Sequence, residues 1–167
     1  LAVLLVASAI FYGWWDWRFL GLIGVVIALS WLSALQASKR TPGRRAWLVA
    51  GIAGNLAILG IFKYAGFFST SFAELVSALG LKANVPVLNI LLPVGVSFYV
   101  FQAISYIVDT ARGDLEAEPR LRRVALYIAF FPQLVAGPIV RAASFFPQMD
   151  HNKRLTGALL AAGARAF

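Results

Sequence analysis

Successive apolar runs, several close to 20 residues long, alternate in this chain with short connections that carry nearly all of its charge. That layout limits the folds available. A helix crossing a bilayer needs about 20 apolar residues, because every backbone N–H and C=O must find its partner inside the segment once water is gone. About five such crossings would use roughly 100 of the 167 residues and leave short loops. Apolar residues make up 60% of the chain and charged ones only 13%, against about 25% in an ordinary soluble domain. This excludes a disordered tail, which needs low hydrophobicity and high charge. It leaves too few charges to cover the surface of a soluble domain.

The first crossing, Leu1–Tyr12, ends in the aromatic cluster Phe11, Tyr12, Trp14, Trp15 and Trp17, residues that favour the headgroup level. Asp16 and Arg18 mark the water side of the turn. The second runs from about Phe19 to Ala37 and is followed by Lys39, Arg40, Arg44 and Arg45 around the helix-breaking pair Pro42-Gly43. The third covers Ala46–Phe62, with a possible extension to Phe68. Ser71-Phe72-Ala73-Glu74 then has the form of a capping box. Phe72, Leu75, Val76 and Leu79 follow on one stripe, with Gly80 available to close the helix, so the spacing predicts a short helix on the membrane surface. The fourth crossing is roughly Ile90–Val108. The fifth, Val124–Val140, is interrupted by Pro132 and by Gly137-Pro138.

Charge orients these segments. The connections at 39–45 and 109–123 hold four basic residues each, whereas 16–18 and 69–89 hold one each, Arg18 and Lys82. Basic residues concentrate on the cytoplasmic side of spanning proteins. The 39–45 and 109–123 connections are therefore expected in the cytoplasm, with the Ser71 helix outside. The same rule accounts for the net charge of +8 without a nucleic-acid partner. No cysteine is present, so disulfides and thiolate metal sites are excluded, and the single His151 cannot by itself make a zinc site. The chain begins at Leu1 within an apolar run and stops within another, Leu155–Phe167. The expectation is a single membrane domain over 1–167, the N-terminal part of a longer protein truncated at both ends. No basic n-region precedes Leu1, which argues against a signal peptide.

Two regions could carry chemistry. Tyr99, Gln102, Tyr106 and Asp109 share one face of the fourth helix, flanked by Ser105. Polar groups at membrane depth face protein or a wet cavity, so this face either lines a tunnel or supplies hydrogen bonds between helices. The fifth segment holds two prolines and a glycine within one helix length. Pro132 has no N–H and leaves the Ile128 carbonyl without its helical partner. Gly137-Pro138 should end the helix. A broken helix survives at membrane depth only inside protein or against a cavity, where Gln133 and Arg141 would point polar groups into the break. A plain kink at the end of a crossing is the alternative. His151, beside Lys153 and Arg154 in a polar stretch, reads as a solvated residue and not as a general base.

The string Phe130-Phe131-Pro132-Gln133-Leu134-Val135-Ala136-Gly137-Pro138-Ile139-Val140-Arg141 resembles the membrane-bound O-acyltransferase family, in its alginate O-acetyltransferase-like branch. The likeness extends to Leu91-Leu92-Pro93-Val94-Gly95-Val96-Ser97-Phe98-Tyr99, Gln102, Ser105-Tyr106, Asp109 and Arg112-Gly113. It also takes in Phe11-Tyr12-Gly13-Trp14-Trp15 and Phe62-Lys63-Tyr64. It implies many tilted helices around a tunnel and transfer of an acyl group from a cytoplasmic donor to a hydroxyl outside the cytoplasm. The family's essential histidine has no counterpart here, since His151 does not stand in its motif. The proline breaks would then shape the tunnel wall, and Arg141 would hold an anionic substrate group or anchor to lipid phosphate.

The expected architecture is therefore all-α: a polytopic transmembrane helical bundle of about five spans plus an interfacial helix. The expected protein is a multi-pass enzyme of the bacterial inner membrane that O-acetylates an exported polysaccharide such as alginate. Candidate tunnel-lining residues are Tyr99, Gln102, Tyr106, Pro132, Gln133, Gly137, Pro138 and Arg141, with no catalytic residue and no metal ligand. No bound cofactor is expected; an acetyl donor acts as co-substrate. Partners are the lipid bilayer, the polysaccharide acceptor, a cytoplasmic acyl donor or carrier protein, and periplasmic pathway proteins. Two rivals remain at this stage: D-alanyl or other acyl transfer from a carrier protein to a cell-envelope polymer, and a membrane transporter.

Overall fold

A computed structural model describes residues 1–39, 41–79, 93, 95–136 and 140–150, and every regular element among them is a helix. The order is α1 (Ala2–Trp15), α2 (Arg18–Ala37), α3 (Arg44–Ala78), α4 (Val96–Arg112), α5 (Leu121–Ala129), α6 (Phe131–Ala136) and α7 (Ala142–Asp150). Two stretches, Arg18–Ala37 and Arg44–Tyr64, are long and apolar enough to cross a membrane. The shorter Ala2–Trp14 is also apolar. Five crossings are thus not what the described residues display.

The turn between α1 and α2 forms where Asp16 breaks the apolar run. Its Oδ1 accepts from the Arg18 amide at 2.9 Å, satisfying a free donor at the start of α2. The centre of the bundle is α2, which packs against α3 and α4 and also touches α1 and α5. Its small residues Ser30, Ser33, Ala34 and Ala37 are buried. They let α3 approach so closely that a Cβ on Gly51 would lie 2.6 Å from Ser33 Cβ and Oγ. Small residues allow this approach where there is no hydrophobic drive between helices in lipid. Asn55 on α3 donates across the seam to Ser30 Oγ at 3.2 Å, and within α3 to the Gly51 carbonyl at 2.8 Å.

Three sequence expectations need correction. The capping box at Ser71 does not start a helix. α3 runs unbroken through it to Ala78, 35 residues in all, and extends about 20 Å past Tyr64. No proline interrupts 44–78, and propagating a helix adds a bond per residue whereas restarting one pays for a new nucleus. A separate interfacial helix is therefore absent from 44–78, and Leu75 and Leu79 are exposed. Gly80 lies outside the described residues.

The fourth helix starts after Gly95 and continues through Asp109 to Arg112, later than the expected Ile90–Val108. It ends at Gly113, whose φ of 88° needs a residue without a Cβ. There the Gly113 amide bonds the Thr110 carbonyl and the Asp114 amide bonds the Asp109 carbonyl, the paired closure of a Schellman motif.

The third correction concerns Val124–Val140, which is not one continuous helix. α5 has nine residues, about 14 Å, and stops at Phe130, whose backbone is extended. α6 follows, and α7 then runs back alongside α5. Arg123 near the start of α5 contacts Phe146 and Asp150 near the end of α7, while the Tyr127 hydroxyl reaches the Val140 carbonyl. The expected break at Gly137-Pro138, the stretch Leu155–Phe167 and His151 lie outside the described residues.

Candidate functional site

The broken segment is held by side chains from two other helices. A continuous helix would pair the Tyr127 carbonyl with the Phe131 amide, four residues on. The extended Phe130 separates them. Gln102 Nε2 on α4 donates to the freed Tyr127 carbonyl at 2.8 Å, and the freed Phe131 amide reaches Ser8 Oγ on α1 at 3.4 Å. Pro132, second residue of α6, has no N–H to give. An aromatic layer surrounds the break: Phe11 stacks near Phe131 (centroids 5.5 Å apart), Phe130 near Phe145 (5.4 Å) and Tyr127 near Phe145 (5.4 Å).

The face of α4 singled out in the sequence is turned into this packing. Tyr99, Gln102 and Tyr106 are buried; Asp109 is half-buried and its Oδ2 accepts from Ser105 at 3.5 Å. The Tyr99 ring meets Tyr12 edge-on at 6.2 Å. The Tyr106 hydroxyl accepts from the Glu118 amide at 3.0 Å. In this chain these residues are engaged with its own helices. Of the rest of the predicted set, Pro132 and Arg141 are exposed and Gln133 is half-buried, while Gly137 and Pro138 lie outside the described residues.

A second polar cluster closes the open end of the hairpin. Arg123 is buried, with Nε 2.9 Å from Glu118 Oε2, both terminal nitrogens on the Asp150 carboxylate at 2.8 and 2.9 Å, and a bond to the Phe146 carbonyl at 3.0 Å. Its guanidinium also lies 5.7 Å from the centre of the Phe146 ring. Glu118 is further bound by Arg120, and its carbonyl accepts from Trp31 Nε1 of α2 at 3.1 Å. Burial would raise the Glu118 carboxyl, yet hydrogen bonds from Arg120 and the charges of Arg123 and Arg120 outweigh it and hold the group below its ordinary 4.5. A buried arginine is tolerated here because its two terminal nitrogens are hydrogen-bonded and its Nε lies against the Glu118 carboxylate. Sequence reading treated Arg123 and Glu118 only as loop charges. Nothing in their spacing points to Asp150, 27 residues beyond Arg123.

An apolar cavity of about 160 Å³ lies between α1, α2 and α5, bordered by Leu5, Ser8, Tyr12, Ile23, Gly24 and Ala129 among others. None of the predicted tunnel residues lines it. Among the described residues no cluster of histidine and carboxylates could hold a metal.

No protein-family model and no solved structure matches the chain. Curated relatives do. The chain is 41% identical to a probable alginate O-acetylase of Azotobacter vinelandii over 153 residues, 90% of this chain and 30% of that protein. It is 40% identical to the probable alginate O-acetylase of Pseudomonas aeruginosa, again over 90% of this chain and 29% of that protein. A peptidoglycan O-acetyltransferase of Helicobacter pylori matches at 31%, over 90% of this chain and 33% of its own length. These relatives bear out the resemblance to the membrane-bound O-acyltransferases. The chain spans about 30% of their length. The stretch similar to them includes the broken hairpin, the α4 face that supports it and the charged closure at Arg123. The relatives are O-acetylases and an O-acetyltransferase, which gives no support to D-alanyl transfer or transport.

Proposed function

We propose that this chain is part of a multi-pass O-acetyltransferase of the bacterial inner membrane, carrying an acetyl group from a donor on the cytoplasmic side to a hydroxyl of an exported polysaccharide such as alginate. The observation that carries the reading is the identity of about 40%, along 90% of the chain, with alginate O-acetylases of two bacteria. The hairpin α5–α6–α7 supports it physically. Its break sits between helices, with its freed backbone groups satisfied by Gln102 and Ser8, as irregular backbone in a membrane must be. Such a wall can bring a donor thioester and an acceptor hydroxyl together while excluding bulk water. Pro132 and Arg141, both exposed, would face the rest of the protein, and Tyr99, Gln102 and Tyr106, all buried, hold the hairpin from behind. Proton removal from the acceptor falls to a base outside these residues.

The test is complementation with the full-length protein. In an alginate-producing host deleted for its own O-acetylase, expression should restore acetyl esters on the exported polymer, read by NMR of the purified polysaccharide. Unacetylated alginate with the protein present in the membrane refutes the alginate assignment; acetylation appearing on peptidoglycan instead would move the acceptor to that polymer. Pro132→Ala combined with Pro138→Ala should abolish the esters while leaving membrane insertion intact.

A further inference from the structure

Arg141 stands immediately before α7, beside Val140, whose carbonyl accepts the Tyr127 hydroxyl at 3.0 Å. The Tyr127 carbonyl in turn is bonded to Gln102, the seventh of the seventeen residues of α4. That places this level about 9 Å from one end of α4 and about 15 Å from the other. The Phe131 amide at the tip of the hairpin reaches Ser8, the seventh of fourteen residues in α1. Two independent helices therefore put the tip near the middle of the bundle. The hairpin's open end is closed by Arg123 and Asp150, and the nine residues of α7 set Arg141 about 14 Å deeper than Asp150.

A guanidinium at this height is far from ordinary solvent. Half of a hydrocarbon core is about 15 Å, too far for an arginine side chain to reach headgroup phosphate by snorkelling. Arg141 is nevertheless exposed on this chain, and among the described residues no carboxylate pairs with it. Arg123, at the hairpin's open end, is by contrast ion-paired with Glu118 and Asp150. An unneutralised charge at membrane depth must face a water-filled space or an anion, and marks a functional position by default.

We infer that Arg141 binds an oxyanion of a substrate, a carboxylate or a phosphate, in a water-accessible space at the middle of the membrane domain. The planar fork of arginine matches the two oxygens of such a group with parallel N–H donors. The inference rests on the acetyl-transfer reading, which supplies the two sources: the carboxylate of a uronate-bearing acceptor or a phosphate of the donor. Arg141 orients that substrate; the reacting atoms lie elsewhere.

The experiment titrates the full-length protein in lipid nanodiscs with a uronate trisaccharide, with its carboxyl-reduced neutral counterpart, and with inorganic phosphate, using wild type, Arg141→Gln and Arg141→Lys. Wild type should bind the uronate or the phosphate, and the one it binds identifies the source. Arg141→Gln should weaken that binding at least tenfold, with Arg141→Lys intermediate, and any binding of the neutral sugar unchanged. Three results overturn the inference: wild type binding neither anion, Arg141→Gln binding the anion as tightly as wild type, or Arg141→Gln weakening the neutral sugar equally. If Arg141→Gln unfolds, Arg141→Lys decides, since full wild-type affinity there would remove the bidentate fork from the argument. Anion binding that persists in a protein that forms no acetyl esters would refute the acetyltransferase reading and leave the arginine site standing.

Discussion

Replacing Gln102 by Met keeps the side-chain length and removes only the donor to Tyr127. The carbonyl it leaves has no substitute. Its helical partner, the Phe131 amide, is turned to Ser8, Pro132 has no N–H, and Tyr127 is fully buried. Stranding a buried acceptor costs about 1–3 kcal/mol in soluble proteins. Side-chain hydrogen bonds between membrane helices average about 0.6 and reach about 1.7 kcal/mol. With no alternative partner the Gln102 bond belongs in the upper part of the second range, so Gln102→Met should cost about 1.5 kcal/mol. The assay is reversible unfolding of the full-length protein in mixed micelles. A second arm tests the reason and not only the size. Pro132→Ala restores an N–H and lets α5 continue, so the Tyr127 carbonyl can recover its own helical bond. In that background Gln102→Met should cost about 1 kcal/mol less, a coupling within the range measured for residues sharing a network. Equal costs in both backgrounds would mean that Gln102 packs against the break without satisfying it, and the account of how the break is held would fail.

Gly51→Ala should destabilise by about 2–3 kcal/mol, because its Cβ would meet Ser33 Cβ and Oγ at 2.6 Å and neither helix backbone can yield locally. Gly24→Ala should instead stabilise by about 0.5–1 kcal/mol, since nothing lies within 4 Å of its Cβ; both are read by thermal unfolding. The Glu118 carboxyl is held below its ordinary 4.5 in the folded state, so its contribution is complete above that value and lost as pH falls through the lower folded value. Melting temperature should therefore drop on acidification below about 4.5, and Glu118→Gln should flatten that part of the profile. Cysteines replacing Asp114 and Asp150 should react with an impermeant thiol reagent from the same side of the membrane, and one replacing Trp17 from the other. Labelling of Asp114→Cys and Asp150→Cys from opposite sides would rule out the hairpin.

Local chemistry announced much of this structure. Asp16 after the aromatic run ends α1, the apolar stretch to Ala37 is α2, and Pro132 stands at a real break. Each depends on bonds within a few residues, where a missing N–H or a capping carboxylate acts whatever surrounds it. The Ser71 box misled because the same four residues are also acceptable inside a helix, and continuation cost less than a stop and restart. Tyr99, Gln102 and Tyr106 were legible as one polar face, but whether that face met water, lipid or protein was not.

What the sequence alone made legible is helix and likeness: apolar runs with charges confined to connections give helices, two of them long and apolar enough to cross a membrane, and the string around Pro132 resembles the membrane-bound O-acyltransferases. What only the tertiary structure decided is where the broken segment goes. α5 and α7 run antiparallel because Arg123 finds Glu118 and Asp150, and Tyr127 finds Gln102 and Val140. These pairings join residues 5 to 27 positions apart through desolvated contacts, and hydropathy, which sums residues one at a time, carries no term for them.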